Sequence, residues 1–552
     1  MVGLFMLALL AGVDAADTEG VVTDEGYQTT VTHQKIKGKD PTADEVDVSG
    51  EDLRKSNARD ALQAISREVP GMYVNSRGNG FNGVAGGASG SIKMRGLGGS
   101  PNTEILILQD GVPDYQGLFG HPIPDAYVVD LVESVEVIRG GDSVLYGTNA
   151  MGGVINFKSM WMKEPGWRLT ADSSIGSYKT FMENAAFLGK FGAFDTAGFV
   201  SATRSDGQRD YSGGSNIVGE VAGRWRSGDF SVTVREKLSK LTGFDPGPVT
   251  VPYVDHWYDV FRNNASAVGR YRGKEFKLNL TAYIDYGWNR LYDGFESHDY
   301  VAGGIFEGDF KLIKQLSLIA GISVTSNGGD ARNKVTGKVE NVVGSVGESV
   351  YAQFTAVPVK SLTLMLGGRL AYNPEWGFVP LYKAGAAWEF YPGLSVRARY
   401  ITNYREPTIQ ERYLPFPVAN PNLKPEYADM FDTGLKASFK HIEAELTFYY
   451  TNGKDLIRYF GQWPSAIVVN IDHAVFMGVE ASVTVSGLGP FSFMLGADFQ
   501  DVGRYTKQNP SRKVNASVEF SYKGWYASLT GQYVGGLYQN NYSRDPIPDA
   551  WF

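Results

Sequence analysis

The sequence predicts a transmembrane antiparallel β-barrel preceded by a smaller α+β region. Three observations carry that prediction. From Trp167 onward, apolar and polar residues alternate in stretches of about ten, the length of a tilted membrane-spanning strand. Short turns and long polar loops alternate between those stretches, as they do when one barrel end faces a confined compartment and the other faces outside. The 552 residues include 67 Gly, 31 Tyr and 10 Trp, yet beyond the extreme N-terminus no apolar run approaches the ~18 residues that a helical span needs. A soluble all-β sandwich also alternates. It does not usually do so for roughly 400 residues with long polar loops between every second pair.

The elements follow in order. Val2 to Gly12 is an apolar stretch of signal-peptide length, and Val13-Asp14-Ala15 supplies small residues for cleavage, so residues 1–15 read as an export signal. No Lys or Arg precedes that stretch, which places the true start of the signal further upstream. Residues 16–45 are polar and acidic without apolar periodicity and read as a flexible arm. Within the arm, Gln28-Thr29-Thr30-Val31-Thr32 is a short β-prone patch. Residues 46–160 read as a mixed α/β domain. In it Leu53, Ala58, Ala61, Leu62, Ile65 and Val69 recur at helical spacing over 52–69, and Pro70-Gly71 stops the helix. Ile105 to Leu108 and Val135 to Ile138 read as strands.

Residues 161–552 read as the barrel. Phe276, Leu278, Leu280, Ala282 and Ile284 alternate with Lys277, Asn279, Thr281, Tyr283 and Asp285. Equivalent alternation runs through 394–400, 442–450 and 525–533. Nine short turns are legible, centred on 192–193, 227–229, 273–274, 314–315, 358–360, 392–393, 440–441, 487–489 and 523–524. Long loops are expected at 239–258, 326–344, 403–425 and 501–511. Nine turns define nineteen full strands, the last at 525–534, with Ala550-Trp551-Phe552 beginning a twentieth. Pro546 and Pro548 bar the preceding segment from being a regular final strand. The expectation is therefore an incomplete barrel with two unpaired edges, lacking roughly 50–70 further residues.

Composition removes several functions. Lys plus Arg is 52 against 60 Asp plus Glu, a net charge of −8, which argues against nucleic-acid binding by phosphate neutralisation. The absence of Cys removes disulfides, thiolate zinc sites and a Cys nucleophile. No GxSxG, Walker or HExxH pattern occurs, the six His are scattered, and no catalytic residue, metal site or cofactor is assigned. Gly78 to Gly83 matches GxGxxG but lacks the strand–helix context that dinucleotide binding requires.

Five motifs occur in a fixed order: Ile92-Lys93-Met94-Arg95-Gly96, Leu108-Gln109-Asp110-Gly111-Val112-Pro113, Val135-Glu136-Val137-Ile138-Arg139-Gly140, Ser143-Val144-Leu145-Tyr146-Gly147 and Met151-Gly152-Gly153-Val154-Ile155-Asn156. The series resembles the plug domain of TonB-dependent outer-membrane receptors. Asn420 to Glu426 and Gly478-Val479-Glu480 resemble barrel patterns of the same family. The resemblance implies a plug inside a barrel of about 22 strands, of which about nineteen are present, in a Gram-negative outer membrane. It implies active uptake of a scarce ligand, most often a ferric siderophore, with cobalamin or haem as alternatives and a passive porin-type channel as the contrasting class. It implies TonB and its inner-membrane complex as partners, and no enzymatic activity. Gln28 to Thr32 resembles the TonB box, an extended segment able to add as a strand to a partner sheet. The family's plug–barrel lock places Arg95 and Arg139 opposite Glu426 and Glu480.

Ligand contacts are expected on two apical plug loops, 77–91 and 111–125, and on the outer barrel loops. The candidates are Arg77, Asn79 and Phe81 on the first loop, and Asp114, Tyr115, Phe119 and His121 on the second. Aromatic and imidazole groups give rigid, amphipathic contact surface. Packing of these loops against the barrel wall accounts for the same residue types. Tyr253, His256 and Trp257 are candidates on an outer loop. Asn403 to Pro407 followed by Asn420 to Leu423 resembles the boxes flanking a haem-ligating loop, but no His lies between them, leaving Tyr413 as the one candidate ligand and an iron chelate as the default.

Overall fold

The computed structural model describes residues 40–552 apart from 57, 59, 77–80, 84–89, 99–101, 415–417 and 462–465. The export signal and the patch Gln28 to Thr32 lie outside the described residues, as do Arg77 and Asn79.

The N-terminal region builds a five-stranded sheet from β1 (Asp44–Ser49), β4 (Ile105–Gln109), β5 (Val112–Pro113), β6 (Val132–Arg139) and β7 (Gly153–Ser159), with β2 (Met72–Val74) and β3 (Ile92–Met94) forming a separate pair. The sheet order is β1-β6-β7-β4-β5, and β4 runs parallel to β7. Against it pack α1 (Gly50–Lys55) and α2 (Ala61–Glu68). The single helix expected over 52–69 is thus two. Ser49 caps the first, and Asp60 caps the second by accepting the Gln63 N–H at 2.8 Å. An Asp side chain that satisfies a free amide favours a new helix start over continuation of the old one. The apolar face of α2, Leu62 and Ile65, joins Met72, Val135, Val137 and Ile155 in one buried core.

Composition assigned 40–45 to the arm, yet these residues belong to the fold. Asp40, Thr42 and Asp44 are buried, and β1 starts at Asp44. The segment looks unfoldable from its polarity because its partners are cations distant in sequence.

The second region is the barrel. Nineteen long strands run from Gly166–Gly176 to Trp525–Gly535, each paired antiparallel with its sequence neighbour. All nine short turns read from the sequence join strand ends in the structure. The strands are 11 to 22 residues long, so several continue beyond the span of about ten that hydrocarbon requires. The expected long loops shrink accordingly, to 245–256, 334–338, 406–425 and 502–511. Segment 326–344 is mostly ladder, because polar strands pair as readily in water as apolar ones do in lipid. The segment 406–425 holds a one-turn helix, α4 (Ile409–Tyr413), closed by a reciprocal Thr408–Glu411 capping box.

A twentieth strand, Ala550–Trp551, pairs with Tyr533 and Val534. The strand order is that of a closed ring, with this two-residue strand between the nineteenth and the first. The ladder of this short strand is with the nineteenth strand, and the first strand's ladder is with the second. The first strand, Gly166–Gly176, is nonetheless exposed on both faces along nearly its whole length.

Side-chain parity follows the sequence reading. Leu280, Ile284, Leu446, Val479 and Val483 project outward and are 40–61% exposed, while Asp285 and Glu480 point inward and are 1% and 2% exposed. The outer face is apolar and the lumen is charged. The N-terminal domain fills that lumen as a plug.

Candidate functional site

The plug is tied to the wall by buried ions. Register sets the first group: in the β1–β6 ladder Asp44 stands opposite Arg139, so one carboxylate meets one guanidinium at the end of both strands. Arg95 arrives from the tight turn after β3, where it holds a left-handed φ of 51°. Glu480 of the wall accepts from Arg95 Nε at 2.9 Å and from Nη2 at 2.7 Å, and it pairs with Arg139 at 2.7 Å. Asp44 takes the remaining sides of both arginines and a third cation, Arg397 of the wall, at 2.8 Å. The Arg95 guanidinium also lies 4.8 Å over the Tyr449 ring. Burial pushes the Asp44 carboxyl up, but Arg139, Arg397 and Arg95 outweigh it and hold it well below the usual carboxylate range.

Three of the four expected lock residues therefore meet. Glu426 does not join them. It accepts from Arg405 and from the Ile457 amide, with Arg458 at 3.4 Å. Arg458 reaches the plug through Glu104 at 2.7 Å, so Glu426 borders a second plug–wall contact. The correction is geometric: Glu426 begins its strand at the long-loop end, whereas Glu480 lies mid-strand beside the plug core. Asp44 was missed because a lone Asp in an acidic stretch carries no pattern; its register opposite Arg139 is the signal.

Two further ties were not legible in the sequence. Lys383 of the wall bridges Asp40 at 3.0 Å and Asp142 at 2.6 Å. Asp142 also caps α3 (Ser143–Tyr146). Lys513 donates to the carbonyls of Ser66 and Val69, free acceptors at the C-terminal end of α2, and to that of Met72 at the start of β2.

The expected ligand residues divide. Phe81 is buried with Ile123, Leu241 and Tyr258 and is a packing residue. Asp114 accepts from Asn264 at 3.1 Å. His121 is half-buried, with Nδ1 at 2.9 Å from the Pro122 carbonyl, and desolvation holds its imidazole below the ordinary value. Phe119 packs edge-on against Phe295 with centroids 6.4 Å apart. These contacts favour the loop-packing account of Phe81, Phe119 and His121. Tyr253, His256 and Tyr292 form an outer-loop stack with centroids 4.5 and 3.7 Å apart, and Trp257 beside it is 38% exposed.

Tyr115 alone of the candidates on loop 111–125 reaches a cleft of about 570 Å³ open to solvent at the long-loop end. The plug contributes Tyr115, Gly117, Gly120, Thr148 and Asn149. The wall and outer loops contribute Asn327, Ser345, Glu375 and Trp376, and then Glu406 to Ile409 with Arg412 and Tyr413. Tyr413, the candidate haem ligand, is here, with its ring 4.5 Å from the Arg412 guanidinium. Trp376, Glu406 and Arg412 carried no motif as ligand residues. Two separate segments, the outer turn at 374–376 and the loop from 406, bring them together.

A barrel occupied by a folded domain, ion-paired to the wall beneath a cleft that both parts line, defines a plugged transport receptor. The family described as the TonB-dependent receptor plug domain matches residues 38–154, and the TonB-dependent receptor-like β-barrel matches 156–551. The chain belongs to the TonB-dependent receptor family. Among solved structures, it resembles the siderophore receptor PirA from Pseudomonas aeruginosa at 18% identity and a TM-score of 0.74, over 90% of this chain and 91% of that one. It resembles a mutant of the ferric enterobactin receptor PfeA from the same species at 16% and 0.75, over 92% and 89%. It resembles the copper transporter OprC at 15% and 0.75, over 92% and 90%. At these identities the likeness concerns the fold.

Proposed function

We propose that this receptor imports a ferric chelate across a Gram-negative outer membrane, using energy delivered by TonB through the segment Gln28 to Thr32. The observation that carries the reading is the cleft lined jointly by plug turns and outer loops: a ligand seated there touches both the movable and the fixed part of the molecule. Import through such a barrel requires the plug to yield, and binding energy alone does not open buried ion pairs of this number. An external energy source supplies the remainder. The outward apolar face supports residence in lipid, and the neighbouring siderophore receptors support an iron chelate as cargo. Asp44, Arg95, Arg139 and Glu480 serve as the lock in this reading, and Tyr115 is the ligand contact retained from the sequence.

The test is uptake of radiolabelled ferric chelates by a receptor-deficient host expressing the full chain, with and without TonB. Binding in both strains and accumulation only with TonB supports the proposal. Accumulation independent of TonB would mean a passive channel.

A further inference from the structure

The charge inventory of the cleft narrows its ligand. Among the described lining residues the one cation is Arg412, and it is already engaged. Its Nη1 pairs with Glu375, and its guanidinium lies 4.6 Å from the Trp376 ring and 4.5 Å from the Tyr413 ring. Nε is buried without a partner, and the Nη2 donors meet no protein acceptor among the described residues. Glu406 adds a second carboxylate, which accepts from Asn373 at 3.0 Å. Two nearby cations do not line the cleft: Arg369 donates to the Val144 and Leu145 carbonyls and to the hydroxyls of Ser323 and Ser349, and Arg405 pairs with Glu411 and Glu426. The rest of the lining is aromatic, amide and hydroxyl, with no His or Met to take a bare soft metal.

Such a surface suits flat apolar faces and neutral hydrogen-bonding groups, and it repels an anion. Ferric iron carries three positive charges. Three bidentate hydroxamates, each a monoanion, neutralise it. Three catecholates, each a dianion, leave the complex with three negative charges. A trianion lowered toward Glu375 and Glu406 loses hydration and meets no free cation in return.

We propose that the cleft selects iron chelates of zero or single positive charge, the trihydroxamate class, and discriminates against tris-catecholates. The proposal rests on the iron-chelate reading above. Arg412 supplies a hydrogen bond to a chelate oxygen through Nη2, Tyr115 and Trp376 supply the apolar faces, and Glu406 favours a ligand that carries a pendant ammonium.

The test uses the detergent-purified full chain and quenching of tryptophan fluorescence. The probes are ferrioxamine B, a singly cationic trihydroxamate, and a ferric tris-catecholate. The trihydroxamate is expected to bind at least about tenfold more tightly. Glu375→Gln, a change in a three-residue outer turn, frees the Arg412 charge and is expected to strengthen catecholate binding about tenfold. Heat-modifiable migration on a gel establishes that the variant barrel is folded; if it is not, the salt dependence of the two wild-type affinities replaces it, and catecholate binding that strengthens with salt supports repulsion. Equal or tighter catecholate binding by the wild type overturns the charge selection and leaves the iron reading standing. Binding of neither probe, together with binding of cobalamin or haem, overturns the iron reading and the selection with it.

Discussion

At the scale of single residues, the lock is a set of buried charges whose separate removal is costly. Glu480→Ala leaves Arg95 and Arg139 sharing Asp44, with Glu445 3.8 Å from Arg139, and breaking a buried pair typically costs ~3–5 kcal/mol. Asp44→Asn is expected to be as damaging, since three arginines converge there. Glu426→Gln should leave the plug in place, because Glu104 still holds Arg458. Urea titration of plug unfolding, followed by hydrogen exchange of the plug amides, checks the order: the first two variants lose midpoint and the third barely moves. Glu406 makes a pH prediction. Burial raises its carboxyl to about 7, above the ordinary 4.5, so the group takes up its charge only as pH rises through that value. Affinity for a singly cationic chelate should therefore rise about twofold or more between pH 6 and pH 8, while that for a neutral chelate stays flat. Flat titrations with both ligands would remove Glu406 from the cleft's chemistry.

At the scale of elements, turns position what strands cannot. Gly71 ends the α2–β2 connection at a φ of 75°, and a Cβ there would collide with the Glu480 carboxylate. Gly117 lets the second apical loop lie directly on the wall, where a Cβ would strike the Tyr300 carbonyl. Its amide donates to Asp299 at 2.7 Å. Gly117→Ala should push that loop inward and lower chelate affinity severalfold, on the scale by which small core overpacking is felt, while the gel shift of the folded barrel persists. An unchanged binding isotherm would mean that the loop does not shape the cleft. The barrel strands and their nine turns were legible because period-two alternation depends on residue type alone. The α1–α2 break was less so: Asp60 is an ordinary helix-surface residue until its carboxylate is seen capping.

At the scale of the whole molecule, a removable plug in a rigid wall predicts two transitions. In urea the plug should lose structure before the barrel, because its ties are ionic and solvent-accessible on opening, while the nineteen-strand ladder is continuous. A single coincident transition by hydrogen exchange of the plug amides and by gel migration would contradict that. Coupling to the energy source is tested by Val31→Pro, which removes a backbone donor from the segment proposed to pair with TonB; chelate binding should survive and uptake should fail. The sequence by itself determined the class of fold, the strand count, the inward and outward faces, and the plug arginines, because periodicity, turn chemistry and ordered motifs are local properties. It did not determine which carboxylates answer those arginines. Glu480 was readable from strand parity, but Asp44 emerges only when β1 registers against β6, and Glu426 faces Arg405 only because two adjacent strand ends place it there. Tyr115 was a sequence candidate, but its cleft partners Trp376 and Arg412 were not, since the three come from distant turns. Charge pairing and concavity belong to the spacing of atoms in three dimensions, which only the closed packing of plug against wall fixes.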